Sequence, residues 1–67
     1  MAGTVCALVT DRGFGFLDVP GVGRHFVHCR DFDFREEFDE LEIGTRVEFD
    51  ATSSAKGMSA TNARILR

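Results

Sequence analysis

Apolar and polar positions alternate along most of this chain with a period of two, and turn residues separate one alternating stretch from the next. Residues 3–10, Gly-Thr-Val-Cys-Ala-Leu-Val-Thr, are rich in β-branched side chains and carry no helix signal, which predicts a first strand. Asp11-Arg12-Gly13 predicts a tight turn, Phe14–Val19 a second strand, and Pro20-Gly21 the centre of a type II turn with Gly23 loosening the connection. A third strand over Arg24–Arg30 puts Arg24, Phe26, His28 and Arg30 on one face and His25, Val27 and Cys29 on the other. Further on, Thr45–Ala51 turns Val47, Phe49 and Ala51 to one side, Ser53–Gly57 is a polar loop, and Met58–Leu66 is a last strand with Ala63 and Ile65 inward.

Residues 31–44 do not alternate. Phe34, Phe38 and Leu41 fall at helical spacing, Asp33 with Glu36 resembles a capping box, and Gly44 is a suitable helix stop, so a short helix and a loop are both open here. Five short strands with one longer excursion between the third and fourth predict an all-β fold, a small barrel.

Within this pattern, Arg12-Gly13-Phe14-Gly15-Phe16-Leu17 is unusual. Alternation puts Phe14 and Phe16 side by side on one face, the glycines leave the other face nearly bare, and Arg12 and Asp18, which seek water, bracket the rings. This arrangement predicts exposed aromatics. Three core phenylalanines, Phe14, Phe16 and Phe26, are the alternative.

Composition narrows the function classes. A chain of 67 residues makes one domain, residues 1–67, and buries only roughly 60% of the surface its unfolded form exposes. Hydrophobic residues at 43% and charged residues at 28% are those of a globular protein. No apolar run reaches the ~18 residues of a membrane span, and no signal peptide opens the chain, so a cytoplasmic location and no membrane partner are expected. Cys6 and Cys29 are too few for a disulfide scaffold. The net charge of −3 opposes phosphate binding at first sight, but it is unevenly placed. Residues 31–42 hold seven acids against Arg35, whereas the remainder holds seven bases against four acids.

Neither metal nor catalysis is indicated. His25 and His28 point to opposite faces of one strand, no Cys-x-x-Cys pair exists, and no nucleophile–base–acid set follows any motif, so no cofactor, no metal site and no enzyme activity are expected.

Arg12-Gly-Phe-Gly-Phe-Leu resembles the first ribonucleoprotein motif, and Phe26-Val27-His28, ten residues after Phe16, resembles the second, in the order used by the cold-shock domain. RNA-recognition-motif domains carry the two in the opposite order, are longer and contain two helices. Gly3-Thr4-Val5, Phe38-x-x-Leu41-x-x-Gly44, Val47-x-Phe49 and Gly57-x-x-Ala60-x-Asn62 extend the resemblance over nearly the whole chain. It implies a five-stranded antiparallel OB-type barrel that binds single-stranded RNA or DNA, as an RNA chaperone holding strands open. By the same resemblance Phe14, Phe16, Phe26, His28 and Phe38 would stack bases and Arg12 would meet phosphate; Arg30 and Lys56 complete the candidate nucleic-acid-binding set. For Phe38 the core is an open alternative, since a helix over 34–42 would turn its ring inward with Leu41. The acidic 31–42 segment is expected beside the groove.

The chain departs from the family at two places. Cys6-Ala7-Leu8 stands where the family commonly has Lys-Trp-Phe, and Cys29 where it commonly has an aromatic. Each stacked base is worth ~1–3 kcal/mol, so weaker binding is expected. These losses also leave a second reading, a cold-shock-like fold whose aromatic face meets a protein partner or a second copy; a monomer is the expected state, a homodimer the alternative.

Overall fold

A computed structural model describes residues 1–67. The strands are β1 (Ala2–Val9), β2 (Phe14–Val19), β3 (Gly23–His28), β4 (Arg46–Ser54) and β5 (Gly57–Ile65), close to the stretches that alternation predicts. They form a closed barrel in the order β1-β2-β3-β5-β4. All pairs are antiparallel except β3 with β5, which run parallel where Phe26 meets Ser59. The expected five-stranded OB-type barrel is present, and its one parallel pair arises because the long connection after β3 carries the chain across the barrel before β4 and β5 return as a hairpin.

The inward positions of the strands make the core. Val5, Leu17, Val27, Val47, Phe49, Ala60 and Ala63 are buried, and Phe32, Phe38 and Leu41 join them from the β3–β4 connection. His25 is buried on the inward side of β3, with its ring centroid 5.1 Å from that of Phe49 and Nδ1 3.2 Å from the Gly23 carbonyl oxygen. Ala51 is exposed instead of inward, because β4 and β5 extend past the core as a two-stranded arm.

Two irregularities adjust which face a residue occupies. In β1, pairing passes from Val5 opposite Leu17 to Ala7 opposite Phe16, so Cys6 is an extra residue. Such a bulge reverses the alternation beyond it and moves Ala7 to the outer face while Leu8 packs inward. In β5, Asn62 takes a φ of 52° and its amide donates to Asp50 Oδ2 at 3.0 Å. Ala60 and Ala63 are thereby both buried despite their odd spacing.

The β3–β4 connection holds two 3-10 turns, Cys29–Asp31 and Arg35–Glu40, with no α-helix. The first is capped reciprocally: His28 Nδ1 accepts from the Arg30 N–H at 3.2 Å, and Asp31 Oδ2 accepts from the His28 N–H at 2.9 Å. This capping box ends β3 at His28. The Asp33–Glu36 box that the sequence suggests does not form, and Phe34 precedes the second turn without a side-chain cap.

Gly13 closes the turn after β1 at a φ of 73°, and Gly15 lets β1 and β2 approach. A Cβ at Gly15 would lie 2.7 Å from the Ala7 carbonyl oxygen and 3.0 Å from a Leu8 methyl. Leu8 therefore covers the inner side of β2 that the glycine leaves open. Gly15→Ala should destabilise the barrel by about 1–3 kcal/mol, the usual range for overpacking. A lower midpoint in urea unfolding is the expected outcome.

Candidate nucleic-acid interface

Three of the predicted site residues converge on the outer face of the β2–β3 hairpin. Phe16 lies opposite Phe26, and Phe14 lies opposite His28. The rings of Phe14, Phe16 and Phe26 form one cluster, with centroids 5.4 Å (Phe14–Phe26), 5.8 Å (Phe16–Phe26) and 6.1 Å (Phe14–Phe16) apart. All three are half-buried, because each ring covers part of its neighbours. The platform is thus less exposed than isolated outward rings would be, and it leaves edges and partial faces open to solvent.

The β4–β5 turn supplies a cation to this surface. Lys56 Nζ lies 5.3 Å from the Phe26 ring centroid, within cation–π range. The turn beneath it is ordered by the Lys56 N–H, which donates to Ser54 Oγ at 3.2 Å, and by the 2.8 Å contact between the Ser54 and Ser59 hydroxyls. Lys56 crossing Phe26 separates two hollows. One, of about 620 Å³, is walled by the three rings with Arg24 and Met58. The other, of about 510 Å³, is lined mostly by polar residues, His28, Arg30 and Asp31 among them, with apolar surface from Phe26, Ala55 and Ala60.

His28 shares its strand face with Phe26 and is also tied into the chain. Because Nδ1 accepts the Arg30 N–H, the neutral ring carries its proton on Nε2, which remains available as a donor. Arg30 reaches the polar hollow from the turn after β3, not from the strand itself. Arg12 is exposed on the turn before Phe14 and borders neither hollow.

Phe38 requires a correction. Only 4% of it is exposed, and its ring packs edge-on against Phe32 at 6.0 Å, so it belongs to the core and not to the stacking face. The second 3-10 turn directs it inward, while Phe34 is left 58% exposed on the loop.

The acidic segment is also displaced from where the sequence suggests. Asp33 pairs with Arg64 at 2.9 Å, and Arg67 lies 2.9 Å from Glu40 and 3.6 Å from Glu37. Glu37 Oε1 additionally accepts the Ile65 N–H at 3.0 Å. The hydrogen bond that Arg67 donates to Glu40, and then the charge of Glu40, hold the Arg67 guanidinium above its ordinary pKa. These contacts draw the segment onto the end of β5, and Asp31 alone among its acids lines the groove.

Sequence reasoning did not select Arg24, Met58 or Ser59. Arg24 was legible, since alternation already puts it on the face of Phe26 and His28. Met58 and Ser59 were not, because they reach the platform through β5 lying beside β3.

A five-stranded barrel with an aromatic outer hairpin, a basic turn beside it and two adjoining hollows defines an OB-type binding domain. Comparison with known proteins specifies the family. The model of the 'Cold-shock' DNA-binding domain matches residues 1–66. The cold shock-like protein of Aquifex aeolicus is 38% identical over 65 residues, covering 96% of this chain and 91% of that protein. Cold shock protein CspA of Staphylococcus saprophyticus is 37% identical over 60 residues, 90% of this chain and 89% of its own. CspA of Staphylococcus aureus is 35% identical over the same shares. The chain belongs to the cold-shock domain family, whose members generally bind nucleic acid.

The different settings of Phe38 and Phe16 lead to different outcomes on truncation. Phe38→Ala should cost about 3–5 kcal/mol, much of the stability of so small a domain. Phe16→Ala should cost about 1–2 kcal/mol, from lost ring contacts and partial burial, and remain folded. Circular dichroism melts of the two variants check this order.

Proposed function

We propose that this chain binds single-stranded RNA or DNA by stacking bases on Phe14, Phe16 and Phe26, and acts as an RNA chaperone by keeping the bases it holds unpaired. The ring cluster on the outer hairpin face is the observation that carries this reading. An aromatic platform accepts any base through its π-face, so sequence need not be read for binding to occur. Arg24 and Lys56 border the aromatic hollow and supply cations for the phosphates between stacked bases. His28 extends the platform along β3, opposite Phe14.

Binding is weaker than in family members with Lys-Trp-Phe on the first strand. Ala7 supports this: it lies opposite Phe16 on the outer face, where a large ring would enlarge the platform, and it offers a methyl group. Cys6, at the bulge, brings no charge to phosphate.

Titration of a labelled pyrimidine-rich single strand at low salt tests the reading. A saturating shift is expected, and a flat titration up to millimolar protein would sink it. Phe16→Ala should lower affinity about tenfold, within the range for one lost base stack. Ala7→Trp should raise it, by adding a ring across the hairpin from Phe16; unchanged affinity would show that β1 lies outside the footprint. Lys56→Ala should reduce the slope of log affinity against log salt by about 0.7, the loss of one phosphate contact on a single strand.

A further inference from the structure

We infer that the polar half of the groove, beyond Lys56, is a base-reading subsite that selects a nucleobase with an exocyclic amino group, with the Asp31 carboxylate as its reader. This rests on the single-strand reading above and adds to it a chemical preference that stacking cannot supply.

The two hollows that share Phe26 and Lys56 differ in the side chains that line them. The first is walled by rings and suits the faces of bases. The second, about 510 Å³, lies within the size range of small-ligand sites and is bordered by the hydroxyls of Thr52, Ser54 and Ser59 with Arg30 and Asp31. Hydroxyls and charges in a fixed wall distinguish base edges. Part of the wall is held in place: Ser54 and Ser59 hold each other, and the capping box holds Asp31.

Asp31 differs from the other acids near it. Asp33, Glu37 and Glu40 are matched by Arg64 and Arg67, and Glu36, Asp39 and Glu42 lie away from the groove, whereas Asp31 lines it and pairs with no basic side chain. Its Oδ2 is held by the His28 N–H, which orients the half-buried carboxylate and leaves Oδ1 without a protein donor. A carboxylate can only accept. It therefore favours the N–H of an amino group such as cytosine N4 and opposes the O4 carbonyl that uracil or thymine presents at the same place. A phosphate in this hollow would meet Asp31 as well as Arg30 and Lys56, whereas the edge of an amino-bearing base can use the acceptor and the donors together. Arg30 brings complementary donors to the ring nitrogen and carbonyl beside the amino group.

Anisotropy titrations with a short labelled oligouridine, and with the same strand carrying one cytosine at each position in turn, test the inference. Cytosine at one register should tighten binding about fivefold to tenfold, a modest value for one base-edge contact. Asp31→Asn keeps an acceptor for the His28 N–H and turns the other terminus into a donor. That variant should abolish the cytosine preference or reverse it toward uracil, with the melting temperature preserved. Equal affinity for uracil and cytosine at every position overturns the inference while leaving stacking intact. So does an Asp31→Asn variant that keeps the preference, or one that weakens every strand alike, which would mark Asp31 as merely structural. Failure of every strand to bind at millimolar protein overturns the stacking reading and this one with it.

Discussion

The register of β2 against β3 is the constraint on which the rest of the structure depends. With Phe16 opposite Phe26 and Phe14 opposite His28, the intervening pairs are Gly15 with Val27 and Leu17 with His25. The first set faces outward and becomes the ring cluster; the second faces inward and becomes barrel core. A slip of one residue would exchange the two sets, exposing Leu17 and burying the rings. Core and platform are thus two sides of one hairpin, and burial of the inner side enforces the outer one. Gly15 links this hairpin to barrel closure, since only the absence of its Cβ lets the Ala7 carbonyl and Leu8 reach β2.

Electrostatics then decide what the outer face can meet. Exposed ion pairs such as Arg64–Asp33 and Arg67–Glu40 contribute little stability individually, but they determine position. With the Arg67–Glu37 contact they tie Asp33, Glu37 and Glu40 of the acidic connection to the end of the chain, away from the rings. The groove is left with Arg24, Arg30 and Lys56 at its border and a single carboxylate inside it. A chain with net charge −3 can in this way present a locally basic surface. The charge that matters to a polyanion is the local one, because charges more than a Debye length away are largely screened.

The departures on β1 have a structural reading as well as a functional one. Leu8 fills the space over Gly15, and the bulge at Cys6 turns Ala7 outward. Replacing larger side chains here removes outer surface without opening the core, so the barrel is retained while its platform narrows to the β2–β3 hairpin.

The amino-acid sequence by itself determined the strands, the faces of β2 and β3, the core glycine–aromatic alternation and the cold-shock resemblance. These follow from period-two patterning and turn chemistry, which act between near neighbours. Only the tertiary structure decided that Phe38 turns into the core, that β3 and β5 run parallel, that Lys56 lies over Phe26, and that Asp33, Glu37 and Glu40 are matched by Arg64 and Arg67. Most of those outcomes join segments far apart in the chain, and the helical spacing within 31–44 leaves helix and loop both open, so it does not say which way the rings point. The Arg12–Leu17 stretch shows the division within a few residues: alternation puts both rings on one face, but how far they are covered depends on Phe26 and on each other.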